Sequence, residues 1–157
     1  MSCSTIDLDF GDGSYTFALP LAQINELQRK TGAGIGAIYA RVVRGCVPDP
    51  KGLHGEWVLN PATAEFYASD LIETVRHALI GGGKGVVAGE EVKVTPVIAN
   101  RLVDTYVMDQ PLIDAWKVAA TILGVCILGY DPPKKDEPPK TGATSAKRGR
   151  KASSTTP

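Results

Sequence analysis

The chain has 157 residues, 43% of them apolar and 6% aromatic, enough for one core built mainly from Ala, Val, Ile and Leu. Its formal net charge of zero is unevenly spread: residues 1–130 hold 10 Lys/Arg against 14 Asp/Glu, a net −4, and residues 131–157 hold 7 against 3, a net +4. Three distant cysteines, Cys3, Cys46 and Cys126, form no CxxC pair, which argues against a disulfide framework or a zinc site and fits a reducing cytosol.

The opening is acidic and polar, and no signal peptide is expected there. Thr5–Phe10 alternates, with Ile6, Leu8 and Phe10 on one face, and Ser14–Leu19 alternates again through Tyr15, Phe17 and Leu19. Gly11-Asp12-Gly13 between them is a turn signal, so a β-hairpin is expected. Pro20 ends the second strand and can open a helix. Leu21–Lys30 carries helical spacing through Leu21, Ile24 and Leu27, and Gly32-Ala33-Gly34 breaks it. A short helix follows over Ile35–Arg44, stopped by Gly45.

Val47–Gly55, rich in Pro and Gly, reads as a loop, and Glu56–Leu59 as a short strand. A capped amphipathic helix is expected from Ser69 or Asp70 to Ile80, with Ser69 as cap, Asp70 at the positive end of the dipole and Gly81–Gly83 as the stop. Thr95-Pro96 marks a helix start, threonine at the cap and proline at the first helical position, running to about Met108. Asp109-Gln110-Pro111 repeats the device for a last helix to about Leu128, ended by Gly129. Its middle is apolar nearly all round, which places it inside the bundle or in an interface. Its longest apolar run, Val118–Leu128, is about half of the roughly 20 residues that a membrane span needs.

From Asp131 the composition changes. DPPKKDEPPKTGATSAKRGRKASSTTP contains no Leu, Ile, Val or aromatic residue and five prolines. Such a segment buries too little apolar surface to offset the entropy of ordering, so it is expected to be disordered. The division is therefore a globular unit over 1–130 and a basic tail over 131–157. The fold class is α+β, mainly α: an N-terminal hairpin, then four to five helices.

Motifs that carry chemistry are weak. Gly32-Ala33-Gly34-Ile35-Gly36-Ala37 fits G-x-G-x-x-A, but it follows a helical, charged stretch where the dinucleotide fingerprint requires a buried strand. Gly81-Gly82-Gly83-Lys84-Gly85 has Gly after the lysine where a phosphate loop needs Ser or Thr, and it follows a helix. His54 lies in a loop and His77 near a helix end, where a cation would suit the dipole. No catalytic constellation forms, and no enzyme activity, metal or cofactor is expected. In the tail, Lys147-Arg148-Gly149-Arg150-Lys151 can contact phosphates or a narrow minor groove. The tail has no aromatic residue for stacking, which favours a solvated segment, and nucleic acid is not a favoured partner.

The order of DFGDGSYTFALPLAQINELQRKTGAGIGAIYARV, SDLIETVRHALIGGG, VTPVIANRLVDTYV and PLIDAWKVAATILGVCILGY resembles the small tail proteins of gene transfer agents and related phages and prophages. That family is sometimes labelled tail tube and more often grouped with tail assembly chaperones. The resemblance spans about residues 5–130 and is least marked over Val47–Ala68. It implies a non-enzymatic protein of the bacterial host cytoplasm, virion-associated if retained in the particle. Its expected partner is the tape-measure protein or other tail proteins, with self-association open and no membrane. The implied mechanism is the shielding of an apolar stripe on an elongated helical partner. Leu112, Ile113, Trp116, Ile122 and Leu123 of the last helix are the candidate contacts, with ordinary core packing as their alternative role. Two other readings stand beside the chaperone: a structural tube component, for which many more strands are expected, and a DNA-associated protein acting through Lys147, Arg148, Arg150 and Lys151.

Overall fold

The computed structural model describes residues 4–51 and 56–131. The expected tail disorder beyond Asp131, the basic cluster Lys147, Arg148, Arg150 and Lys151, and Cys3 and His54 lie outside the described residues.

The chain opens with the expected hairpin. Strand β1 (Thr5–Phe10) pairs antiparallel with β2 (Gly13–Ala18), from Thr5 opposite Ala18 to Phe10 opposite Gly13. Along β1, Thr5, Asp7 and Asp9 are exposed and Ile6, Leu8 and Phe10 turn inward, the alternation that a half-buried strand requires. Helix α1 (Leu21–Thr31) follows Pro20 and ends at Gly32 in the left-handed region, and α2 (Ile35–Val43) follows Gly34. The G-x-G-x-x-A match is thus a break between two helices, with no strand before it.

Val47–Gly55 is not wholly loop: Val47–Pro48 (β3) pairs with Trp57–Val58 (β4) as a small ribbon. Helix α3 (Ala68–Gly82) begins after Tyr67, with no side chain capping it, so the cap expected at Ser69 is absent. Asp70 has another task. It is 1% exposed and receives two hydrogen bonds from the Arg41 guanidinium, at 2.9 and 2.7 Å. The Arg41 guanidinium also lies over the Tyr67 ring, 4.7 Å from its centroid.

The main departure from the sequence expectations is a second hairpin, β5 (Lys84–Val87) and β6 (Glu90–Lys93), joined by Ala88-Gly89 with both residues at positive φ. Strand β5 pairs with β2, giving a four-stranded sheet in the order β1-β2-β5-β6. The glycine run that imitates a phosphate loop makes this junction. A Cβ on Gly81 would lie 2.1 Å from the Ala18 carbonyl oxygen, and one on Gly82 1.7 Å from that of Thr16. The end of α3 therefore rests directly on the β2 backbone, and Gly83 closes the helix at φ 70°.

Helix α4 (Pro96–Tyr106) starts as the sequence indicates, with Thr95 Oγ1 accepting from the Ile98 N–H at 3.3 Å. Helix α5 (Leu112–Leu128) follows Pro111 and ends at Gly129. The apolar core joins Phe10, Tyr15 and Phe17 from the sheet to Leu27, Ile38, Leu71, Leu79, Val103, Trp116 and Leu123 from all five helices. The observed hairpin and five helices, with helix outweighing strand, agree with the expected α+β, mainly α class.

Candidate functional site

Helix α5 is apolar nearly all round because it has neighbours on most sides. It packs on α2, α3 and β1. Trp116, Ile122 and Leu123 are 1%, 2% and 0% exposed, and the Trp116 indole N–H donates to the Val42 carbonyl at 2.7 Å, tying α5 to α2. These three side chains are buried in the core of this fold. Leu112 is exposed and Ile113 half-buried.

One strip of α5 has no helix over it. There, a groove of about 690 Å³ opens between α5, the inward residues of β1 and the β3–β4 ribbon. Its floor is Ile113, Trp116, Ala120, Thr121 and Gly124 at helical spacing, one wall is Ile6 and Leu8, and the other is Trp57, Val58 and Leu59. The Trp57 indole N–H donates to the Tyr39 hydroxyl at 3.1 Å, which fixes the ribbon against α2. A Cβ at Gly124 would meet that hydroxyl at 3.6 Å, an ordinary contact, so this glycine keeps the floor open without being required by the packing. Asp49, Glu56 and Lys117 are the charged residues of the lining. Both tryptophans of the chain lie here.

The groove therefore contains Ile113 and Trp116 of the five expected contacts, the latter mostly as buried floor. Its other walls were not legible in the sequence, because β1 and the ribbon are separated from α5 by more than fifty residues. The alternation that turns Ile6 and Leu8 inward was the available signal.

A polar cluster lies apart from the groove, where α1 meets α3. His77, 7% exposed, shares a hydrogen bond between its Nδ1 and the Gln23 side-chain amide at 3.0 Å. Its Nε2 faces Glu73 Oε2 at 3.4 Å, and Glu73 also pairs with Arg76. Burial pushes the His77 pKa below its ordinary value, against the smaller opposing pull of Glu73. Burial thus works against the charged His77 that the helix dipole would favour. The Cys46 and Cys126 thiols are free, and burial pushes both pKa values up, away from the nucleophilic thiolate. Among the described residues, no group of three or more His, Cys, Asp or Glu could hold a metal ion, and no helix is long and apolar enough to cross a membrane.

Comparison with known protein families matches residues 4–48 to a family described as "Phage tail tube protein, GTA-gp10". The match spans the first hairpin, α1, α2 and β3, and it supports a gene transfer agent or phage tail family. No curated protein and no solved structure matches the chain.

Proposed function

Proceeding from a gene transfer agent or phage tail family, we propose that this chain is a non-enzymatic tail-assembly chaperone. It covers apolar stretches of the tape-measure protein in the host cytoplasm until the tail tube forms round them. The observation that carries this reading is the groove on α5: a mostly apolar concavity of about 690 Å³ beside a filled core. Mostly apolar concave surfaces with a few polar groups are where partner segments and ligands bind. Ile113, Ala120 and Gly124 offer the floor and Leu112 the exposed approach, while Trp116, Ile122 and Leu123 hold the helix in place.

The second reading is a structural component of the tube, favoured by the wording of the matched family. A third, a DNA-associated protein, rests on Lys147, Arg148, Arg150 and Lys151 alone.

Two measurements separate these readings. A chaperone co-purifies with a tape-measure-like partner and is nearly absent from finished particles by mass spectrometry. Presence at a stoichiometry matching the tube rings overturns the chaperone reading and makes the chain a structural subunit. Gly124→Leu fills the groove floor while favouring the helix. It should lower partner capture severalfold with an unchanged circular dichroism spectrum, and undiminished capture would remove the groove from the proposal.

A further inference from the structure

On the side away from the groove, the sheet ends in β6. Among the described residues this strand pairs with β5 alone, and the isolated bridge residue Tyr130 lies beside Ile6 and Leu8 at the opposite, β1 edge. The Val94 N–H donates to the Gly83 carbonyl at 2.9 Å, and bonded and non-bonded pairs alternate along an antiparallel ladder. Gly85–Val92 is therefore a bonded pair, whereas the N–H and C=O groups of Glu91 and Lys93 point away from β5, out of the edge of the sheet. The Glu91 and Lys93 side chains are exposed on the face opposite Val92, and no ion pair joins either to another described residue. Lys93 instead stands opposite Lys84, a like-charge pair that costs stability.

We propose that β6 pairs antiparallel with β6 of a second copy across a two-fold axis, joining the two sheets edge to edge. The inference does not depend on the groove. Charge and register select the occupant. A two-fold axis through an antiparallel pair keeps every side chain on its own face, so it passes beside a residue and never between two. Centred on Glu91 it sets glutamate against glutamate, and centred on Lys93 it sets lysine against lysine, and both repel. Centred on Val92 it sets Glu91 of each copy against Lys93 of the other. These are the residues whose backbone groups already point outward, so each such pair exchanges both of its N–H···O bonds. The same register places a carboxylate beside each crowded Lys84–Lys93 pair. On the other face Val92 meets Val92 of the second copy, with Cα atoms about 4.5 Å apart. They meet at the rim of a hollow of about 350 Å³ that Val87, Ile98 and Leu102 help to line.

Analytical ultracentrifugation of the full-length protein provides the test. The wild type should pass from monomer to dimer with a dissociation constant of roughly 10–100 µM, as suits a contact between short strands. Glu91→Lys and Lys93→Glu, each at an exposed position, put like charges into both pairs. Either alone should weaken dimerisation about tenfold or more, with an unchanged circular dichroism spectrum. Mixed one to one, the two variants restore opposite charges in both pairs and should recover the wild-type affinity as a mixed dimer. The double variant should do the same with itself. Gly124→Leu, in the groove, should leave dimerisation unchanged whatever it does to partner capture, so the two proposals fail separately. A monomer at every concentration up to about 500 µM overturns the inference. So does a dimer indifferent to both charge variants, or one that mixing does not recover. Growth beyond the dimer into rings or fibres overturns it too, because a two-fold contact closes on itself.

Discussion

His77 is the residue whose chemistry is most sensitive to conditions. Its pKa in the folded chain is lowered by burial, whereas in the unfolded chain it titrates near 6.5. As pH falls through 6.5 the unfolded state takes up the proton first, so the stability this site contributes is fully present above that pH and is lost below it. Thermal melts of the wild type and of His77→Gln between pH 8 and 5 should show the wild type losing more stability on the acidic side; parallel curves would remove the buried histidine as the cause. Asp70 is the counterpart at neutral pH. Removing its carboxylate by Asp70→Ala leaves Arg41 without its buried partner and should cost about 3 kcal/mol, read from the urea midpoint. Neither role was legible from sequence. Both residues had been read by their position on α3, through capping and the dipole, whereas partners 54 and 29 residues away decide them.

At the scale of elements, the signals that succeeded are those whose cause is local. Thr95-Pro96 starts a helix because the threonine oxygen and the missing proline N–H both act within one turn. The first hairpin follows from strict alternation round a glycine turn. The second was missed because its strands have only four residues each and Ala88-Gly89 is an uncommon turn pair, Ala88 being the one described non-glycine residue at positive φ. The glycines preceding it were visible, but their cause, contact with the β2 backbone, is long-range. Gly82→Ala should therefore be far costlier than an ordinary helix substitution. A methyl group would meet the Thr16 carbonyl oxygen at 1.7 Å, and displacing α3 from β2 should cost about 3 kcal/mol in a denaturant melt. Gly124→Ala, with room around it and a helix to favour, should instead stabilise by about 0.5–1 kcal/mol.

For the whole molecule, the buried core among the described residues runs from Phe10 to Leu123. Ending the chain after Tyr130 should leave the thermal midpoint nearly unchanged, because nothing in DPPKKDEPPKTGATSAKRGRKASSTTP is apolar enough to add to that core. A fall of many degrees would show that the tail packs on the body. The overall class was readable because it needed only element types. The groove was not, because it arises where a strand, a ribbon and a helix from three parts of the chain leave a gap.

The joining of β2 to β5 has a consequence for synthesis. Ser14 finds Val86 only after the 71 residues between them have been made, so the first hairpin leaves the ribosome long before the other half of its sheet exists. Until then Tyr15 and Phe17 lack the α3 and β5 surfaces that cover them. The stretch that carries the family match, residues 4–48, is thus a part of a fold and not a separable module. Made alone, it should stay unstructured by circular dichroism and engage folding helpers, and the nascent chain should gain protease resistance only once the second hairpin has emerged.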